Sequence, residues 1–180
     1  MPRGLPRRRP GKKPRARAGK VEIAWGVRAR PISDRAVRST VRAALAYGGR
    51  PRIDLAVALV SDARLAAIHG RFLGDPSPTD VISFDLGEGA GPAGEVYVSV
   101  DRARAVARER GDPLEREMAL YLVHGTLHLC GYDDLDPAQR RRMRAAEAEV
   151  LAGLGWGTQG VRGGTGSARV NQKTKKTSRG

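Results

Sequence analysis

The run His124-Gly-Thr-Leu-His128-Leu-Cys-Gly131-Tyr-Asp-Asp134 holds the residues of this chain best suited to chemistry. Residues four apart on a helix share a face and stand about 6 Å apart along the axis, so both imidazoles can reach one ion. Gly131 follows His128 by three residues, where a helix stops most readily on a residue able to take positive φ. Asp134 then falls on the returning chain, placed to bring a carboxylate oxygen to the same ion. Two nitrogens, one oxygen and an open fourth position describe a catalytic zinc site rather than a structural one. The pattern predicts a hydrolase with one zinc ion held by His124, His128 and Asp134. Asp133 and Asp136 flank the third position, and either can be the ligand or a helix cap instead.

The residue after the first histidine narrows the class. In an HExxH metallopeptidase a glutamate there is the general base. Here the position is Gly125, so a peptidase becomes the secondary expectation. Cys130 is the single cysteine and cannot form an intrachain disulfide, consistent with a reducing cytoplasm. It lies about 200° around a helix from His128 and reads as a small apolar residue turned away from the metal.

The elements that must position these residues are legible as patterns. Val21–Trp25 reads as a strand, and Asp34–Tyr47 as a helix stopped by Gly48-Gly49. Ile53, Leu55, Val57 and Leu59 alternate through a second strand, and Ser61 or Asp62 caps a helix to about Phe72. Asp80–Phe84 and Glu95–Val100 read as strands of a hairpin or meander across a glycine-rich turn, residues 87–94. After an arginine- and alanine-rich helix over 101–110, Asp112 as N-cap, Pro113 and Glu115 announce the central helix that carries His124 and His128. Asp136-Pro137-Ala-Gln139 repeats that grammar and starts a final helix to about Leu151, closed by Gly153. Arg140, Arg141, Arg142 and Arg144 read as its solvated face, with RNA contact as the alternative. The expected fold is α+β: one small mixed sheet covered by helices, with the metal motif on the central helix and the following turn.

Charge divides the chain. The net charge is +14, yet residues 1–20 hold nine Lys/Arg and residues 158–180 hold six, with no acid in either. Residues 21–157 are left with 18 basic and 19 acidic residues, so the body is near neutral. We therefore divide the chain into a basic disordered tail at 1–18, a hydrolase domain at 19–157 and a second basic disordered tail at 158–180. Such tails can bind phosphate backbones by counterion release, or simply keep the protein soluble. A transit peptide is disfavoured by the prolines and the lack of an apolar stripe at the N-terminus, and there is no run long enough to span a membrane. With only two Phe, two Trp and four Tyr, no aromatic platform for stacking bases is evident. Tyr132 can stack one base or serve the motif structurally.

The motif resembles a known family. HGTLHLCGYDD is similar to HGxLHLxGYDH, the signature of the YbeY endoribonucleases. Pro78-Thr79-Asp80-Val81-Ile82-Ser83-Phe84 resembles that family's PT(D/N)VLSF, and Gly94-Glu95-Val96-Tyr97-Val98 its G(D/E)(I/V)x(I/V) strand. The likeness runs over roughly residues 50 to 156. It implies a zinc-dependent, single-strand-directed endoribonuclease of the cytoplasm, acting in 16S rRNA maturation and ribosome quality control. The implied partners are rRNA, the small ribosomal subunit and an Era-type GTPase. Two positions depart. Asp134 stands where the family usually has a third histidine, which makes a bound metal a weaker Lewis acid. In the stretch aligned with LNxxYRG, His69 replaces the asparagine and Leu73 the arginine, and Arg71 is the candidate for the displaced catalytic cation. A non-catalytic, metal-containing ribosome-assembly factor is the alternative those departures keep open.

Overall fold

The computed structural model describes residues 17–87 and 91–156, together with the backbone of 171–173. Most of both basic tails lies outside the described residues.

Serine caps set the first three helices. Ser33 accepts from the Ala36 amide at 3.2 Å and starts α1, Asp34–Tyr47. Ser61 does the same for α2, Asp62–Leu73, and Ser99 for α3, Val100–Arg110. The strands between them are β1 (Val21–Trp25), β2 (Leu55–Val60), β3 (Val81–Asp85) and β4 (Gly94–Ser99). These four form one mixed sheet in the order β1-β2-β4-β3. β1, β2 and β4 run parallel, and β3 runs antiparallel to β4 with Ile82 opposite Tyr97. A three-residue strand, β5 (Asn171–Lys173), lies parallel to β3 on its outer side. That segment belongs to the C-terminal tail, so the expected lack of structure does not extend to these three residues.

Alternation along β3 and β4 assigns the two faces of the sheet. Val81, Val96 and Val98 join the main core with Val41, Leu45, Met118 and Leu122. Ile82 and Phe84 turn the other way and pack with Leu65 and Ile68 of α2. Because helices cover both faces, four of the five β3 residues are buried.

The central helix, α4 (Leu114–Leu129), buries twelve of its sixteen residues. A helix apolar on nearly every side must be enclosed, and this one is. It packs on α1, α3, the sheet and α5 (Pro137–Gly153). Ala119, Val123 and Leu127 meet Met143, Ala146, Val150 and Leu151 of α5.

Several boundaries differ from the sequence expectation, β3 and β4 by a single residue at each end. Asp112 does not cap α4; Pro113 occupies the cap position, and the Asp112 carboxylate pairs instead with Arg116 at 3.1 Å. Helix α5 continues through Gly153, and the positive φ beyond it belongs to Gly155 at 87°. Strand β2 starts at Leu55, two residues later than the alternation suggested. No helix among the described residues is long and apolar enough to cross a membrane.

Gly125 is where α4 touches the sheet most closely. A Cβ there would stand 2.7 Å from Val81 Cγ2 and from Val96 Cγ1. Ser83 Oγ donates to the Gly125 carbonyl at 2.9 Å across the same contact. Gly125→Ala should therefore lower stability by about 1–3 kcal/mol through overpacking. Urea unfolding measures this, and an unchanged midpoint would show that the contact relaxes freely.

Candidate metal centre

The helix end that delivers the site is a hydrogen-bonded turn of defined type. Gly131 takes φ 88°. Its amide donates to the His128 carbonyl at 3.0 Å, and the Tyr132 amide donates to the Leu127 carbonyl at 3.1 Å. This is the Schellman arrangement, in which a glycine just past the helix satisfies the last carbonyls. The chain then reverses and brings Asp134 back beside His128, with Asp134 Oδ1 3.9 Å from His128 Nε2.

His124 and His128 are both buried, their rings edge to face with centroids 4.4 Å apart. Ligand atoms of His124, His128 and Asp134 all lie within 4.8 Å of one another. Such a group can hold a divalent cation.

The proton positions decide whether the donors fit a metal. His128 Nδ1 lies 3.0 Å from the Tyr132 carbonyl oxygen. A carbonyl only accepts, so Nδ1 carries the hydrogen and Nε2 keeps its lone pair. His124 Nδ1 is hydrogen-bonded to the Glu147 carboxylate, which sets the same tautomer. Two buried imidazoles with Nδ1 committed, beside one carboxylate, make the donor set that zinc favours.

The aspartates separate into distinct roles. Asp133 Oδ1 accepts from the Asp134 amide at 2.8 Å and holds the loop. Asp136 Oδ1 accepts from Ala138 and Gln139 amides at 2.7 and 2.8 Å, and the Asp136 amide donates in turn to Gln139 Oε1 at 3.2 Å. That is the capping box read from the sequence. Only Asp134 of the three belongs to the cluster.

Arg71 lies exposed on the last turn of α2, with its guanidinium carbon 5.4 Å from the Phe72 ring centroid. Leu73, at the aligned arginine position, packs against the Ile82–Phe84 cluster. His69 is buried, its Nδ1 3.1 Å from the Ser77 carbonyl. Cys130 is half-buried against Gly48, and burial pushes its thiol up to about 11, so it is protonated at neutral pH.

Sequence reasoning missed Glu147. Its signal was present: it stands four residues after Met143 and three before Val150, on the stripe that α5 buries. An acid on an apolar stripe needs a partner.

The chain is similar to known proteins over most of this body. A family model described as "Endoribonuclease YbeY" matches residues 27–155. A curated relative, the endoribonuclease YbeY of Anaeromyxobacter sp. (strain Fw109-5), is 40% identical over 124 residues. That match covers 67% of this chain and 65% of the relative, just under two thirds of its length. The Geobacter sulfurreducens endoribonuclease YbeY is 35% identical over 141 residues, covering 74% of this chain and 94% of that one. Among solved structures, the solution structure of TM1509 from Thermotoga maritima superposes with a TM-score of 0.51 at 24% identity. It covers 74% of this chain and 91% of that one, and it shares the fold.

The ligand register is testable by elemental analysis of purified variants. Asp134→Ala should lose metal, whereas Asp133→Ala and Asp136→Ala should keep it. Asp136→Ala should instead cost about 0.5–2 kcal/mol of helix capping. Metal loss in Asp133→Ala but not in Asp134→Ala would overturn the register. For Glu147, removal of the acceptor should weaken zinc affinity by about 10–100-fold. A competition titration should place Glu147→Gln, which keeps an acceptor oxygen, between wild type and Glu147→Ala. Equal affinity in all three would mean that the His124 ring is held by packing alone.

Proposed function

The chain belongs to the endoribonuclease YbeY family, and we propose that it is a zinc-dependent endoribonuclease acting on single-stranded RNA. The reading is supported chiefly by His124, His128 and Asp134, whose ligand atoms converge while Glu147 and the Tyr132 carbonyl hold the two rings. A zinc ion held by His124, His128 and Asp134 would supply Lewis acidity toward a phosphoryl oxygen and would lower the pKa of water toward about 7. The protein's part is to hold both imidazoles in the tautomer that leaves Nε2 to the metal. Within the same proposal, the substrate is 16S rRNA during small-subunit maturation and quality control in the cytoplasm. The proposed partners are the small ribosomal subunit and an Era-type GTPase. Arg71 is proposed to neutralise phosphate charge from the rim of α2.

Peptidase chemistry is disfavoured by the packing of Gly125. The position that carries the base in HExxH enzymes faces Val81, Val96 and Ser83 rather than open space. One observation favours a second reading, a metal-containing assembly factor that does not cut: Arg71 lies over Phe72 on α2, which packs on Ile82 and Phe84, whereas α4 packs on Val81 and Val96.

Chelation separates the two. Cleavage of a single-stranded RNA should cease when zinc is stripped and return when zinc is restored, while RNA binding changes little. Cleavage that persists at full strength in the metal-free protein would sink the proposal. A fully zinc-loaded protein that binds rRNA and never cuts it would favour the assembly factor.

A further inference from the structure

Four of the five residues 140–144 are arginines, in a body whose charges nearly cancel only when these four are counted. Arg140, Arg141, Arg142 and Arg144 are all exposed, while Met143 between them is buried against α4. The run starts at the metal centre itself. Arg140 Nη1 donates to the carbonyl of Asp134 at 3.2 Å, so the first turn of α5 lies against the backbone of a metal-centre residue. Arg144, four residues on, sits about 6 Å farther along the same helix face, and Arg141 about 100° around from Arg140.

The acids of α5 nearest this surface have other contacts. Asp136 caps the helix. Glu147 is turned to His124. Among the described residues, no ion pair involves Arg141, Arg142 or Arg144, in contrast to Arg104–Asp101 on α3 and Arg116–Asp112 on α4. An exposed guanidinium keeps its hydration and offers a planar fork that matches phosphate oxygens. Several together, next to a centre suited to a scissile phosphate, fit a polyanion better than any small ligand.

We propose that the N-terminal half of α5 is the surface on which the RNA strand docks by its phosphates, with Arg141 and Arg144 as the principal contacts. The inference rests on the reading of RNA as substrate and adds where the strand lies. It names a phosphate-backbone surface, so it carries no base preference.

The test uses the zinc-loaded full chain and a fluorescent single-stranded RNA with 2′-O-methyl, phosphorothioate linkages, its integrity checked by gel after each titration. Binding is measured by anisotropy over a range of salt. Arg141→Gln/Arg144→Gln and the charge-reversed Arg141→Glu/Arg144→Glu are compared with Arg102→Glu/Arg108→Glu, an equal reversal on exposed α3. Arg140 is left intact because it touches the Asp134 loop. Loss of two single-strand phosphate contacts should make the log–log salt slope shallower by about 1.4, with affinity at low salt reduced at least tenfold in the reversed pair. Zinc content should not change, and the α3 pair should bind as wild type. If the α5 and α3 pairs behave alike, the docking surface is wrong although the proposed function stands. If wild type neither binds nor cuts single-stranded RNA, the functional reading fails and this inference falls with it.

Discussion

A buried imidazole that gives one nitrogen to a metal must place its other N–H on an acceptor, and the architecture of this protein is arranged around that demand. Two rings placed to do so lie 4.4 Å apart inside the molecule, so two acceptors are needed in a space largely closed to water. One is the Tyr132 carbonyl, available because Gly131 turns the chain back over its own helix. The other is the Glu147 carboxylate, available only because α5 docks on α4 through Met143, Ala146 and Val150. The turn that ends α4 thus caps the helix, orients His128 and returns Asp134. The helix that follows orients His124. Packing between α4 and α5 and geometry at the metal centre are therefore one problem, solved by the same contacts.

Close approach of α4 to the sheet is the second requirement. Gly125 lets the helix backbone settle on Val81 and Val96, which fixes the height at which His124 leaves the sheet. Any side chain at that position would lift the helix and shift both rings together. Comparison with the HExxH pattern suggested that the missing glutamate marks a different reaction; the packing gives the physical reason. In this fold the position belongs to the core.

Much of this was legible in the chain because it is written locally. The spacing of His124, His128 and Gly131 needs only helical geometry, and Asp136-Pro137-Ala-Gln139 needs only the chemistry of unsatisfied amides. Serine caps at Ser61 and the alternation through Leu55, Val57 and Leu59 are local in the same sense. What escaped depends on distant partners. Glu147 is 23 residues from His124, and nothing near the motif asks for it. Asp112 looked like a cap, but a carboxylate with Arg116 one turn ahead has a competing partner and took it. Strand order escaped for a related reason: alternation assigns faces, not neighbours, so the insertion of β4 between β2 and β3 could not be read.

As a ligand, Asp134 would change the charge of the centre as well as its ligand type. With two imidazoles and one carboxylate a divalent ion keeps a net charge of one, where three imidazoles would leave it two. A phosphodiester approaching this centre would meet less positive potential than in the three-histidine arrangement, unless cations lie close by. Arg140 is fixed 3.2 Å from the Asp134 carbonyl, and three further arginines follow within four residues, all exposed. The chain that introduces a negative ligand therefore carries positive charge on the same loop and the next helix turn. Guanidiniums differ from a metal in where that charge acts. They would leave the acidity of any metal-held water to the ligand set and act on a polyanion from outside, so an Asp134 ligand beside this run would place positive charge on the surface rather than at the ion.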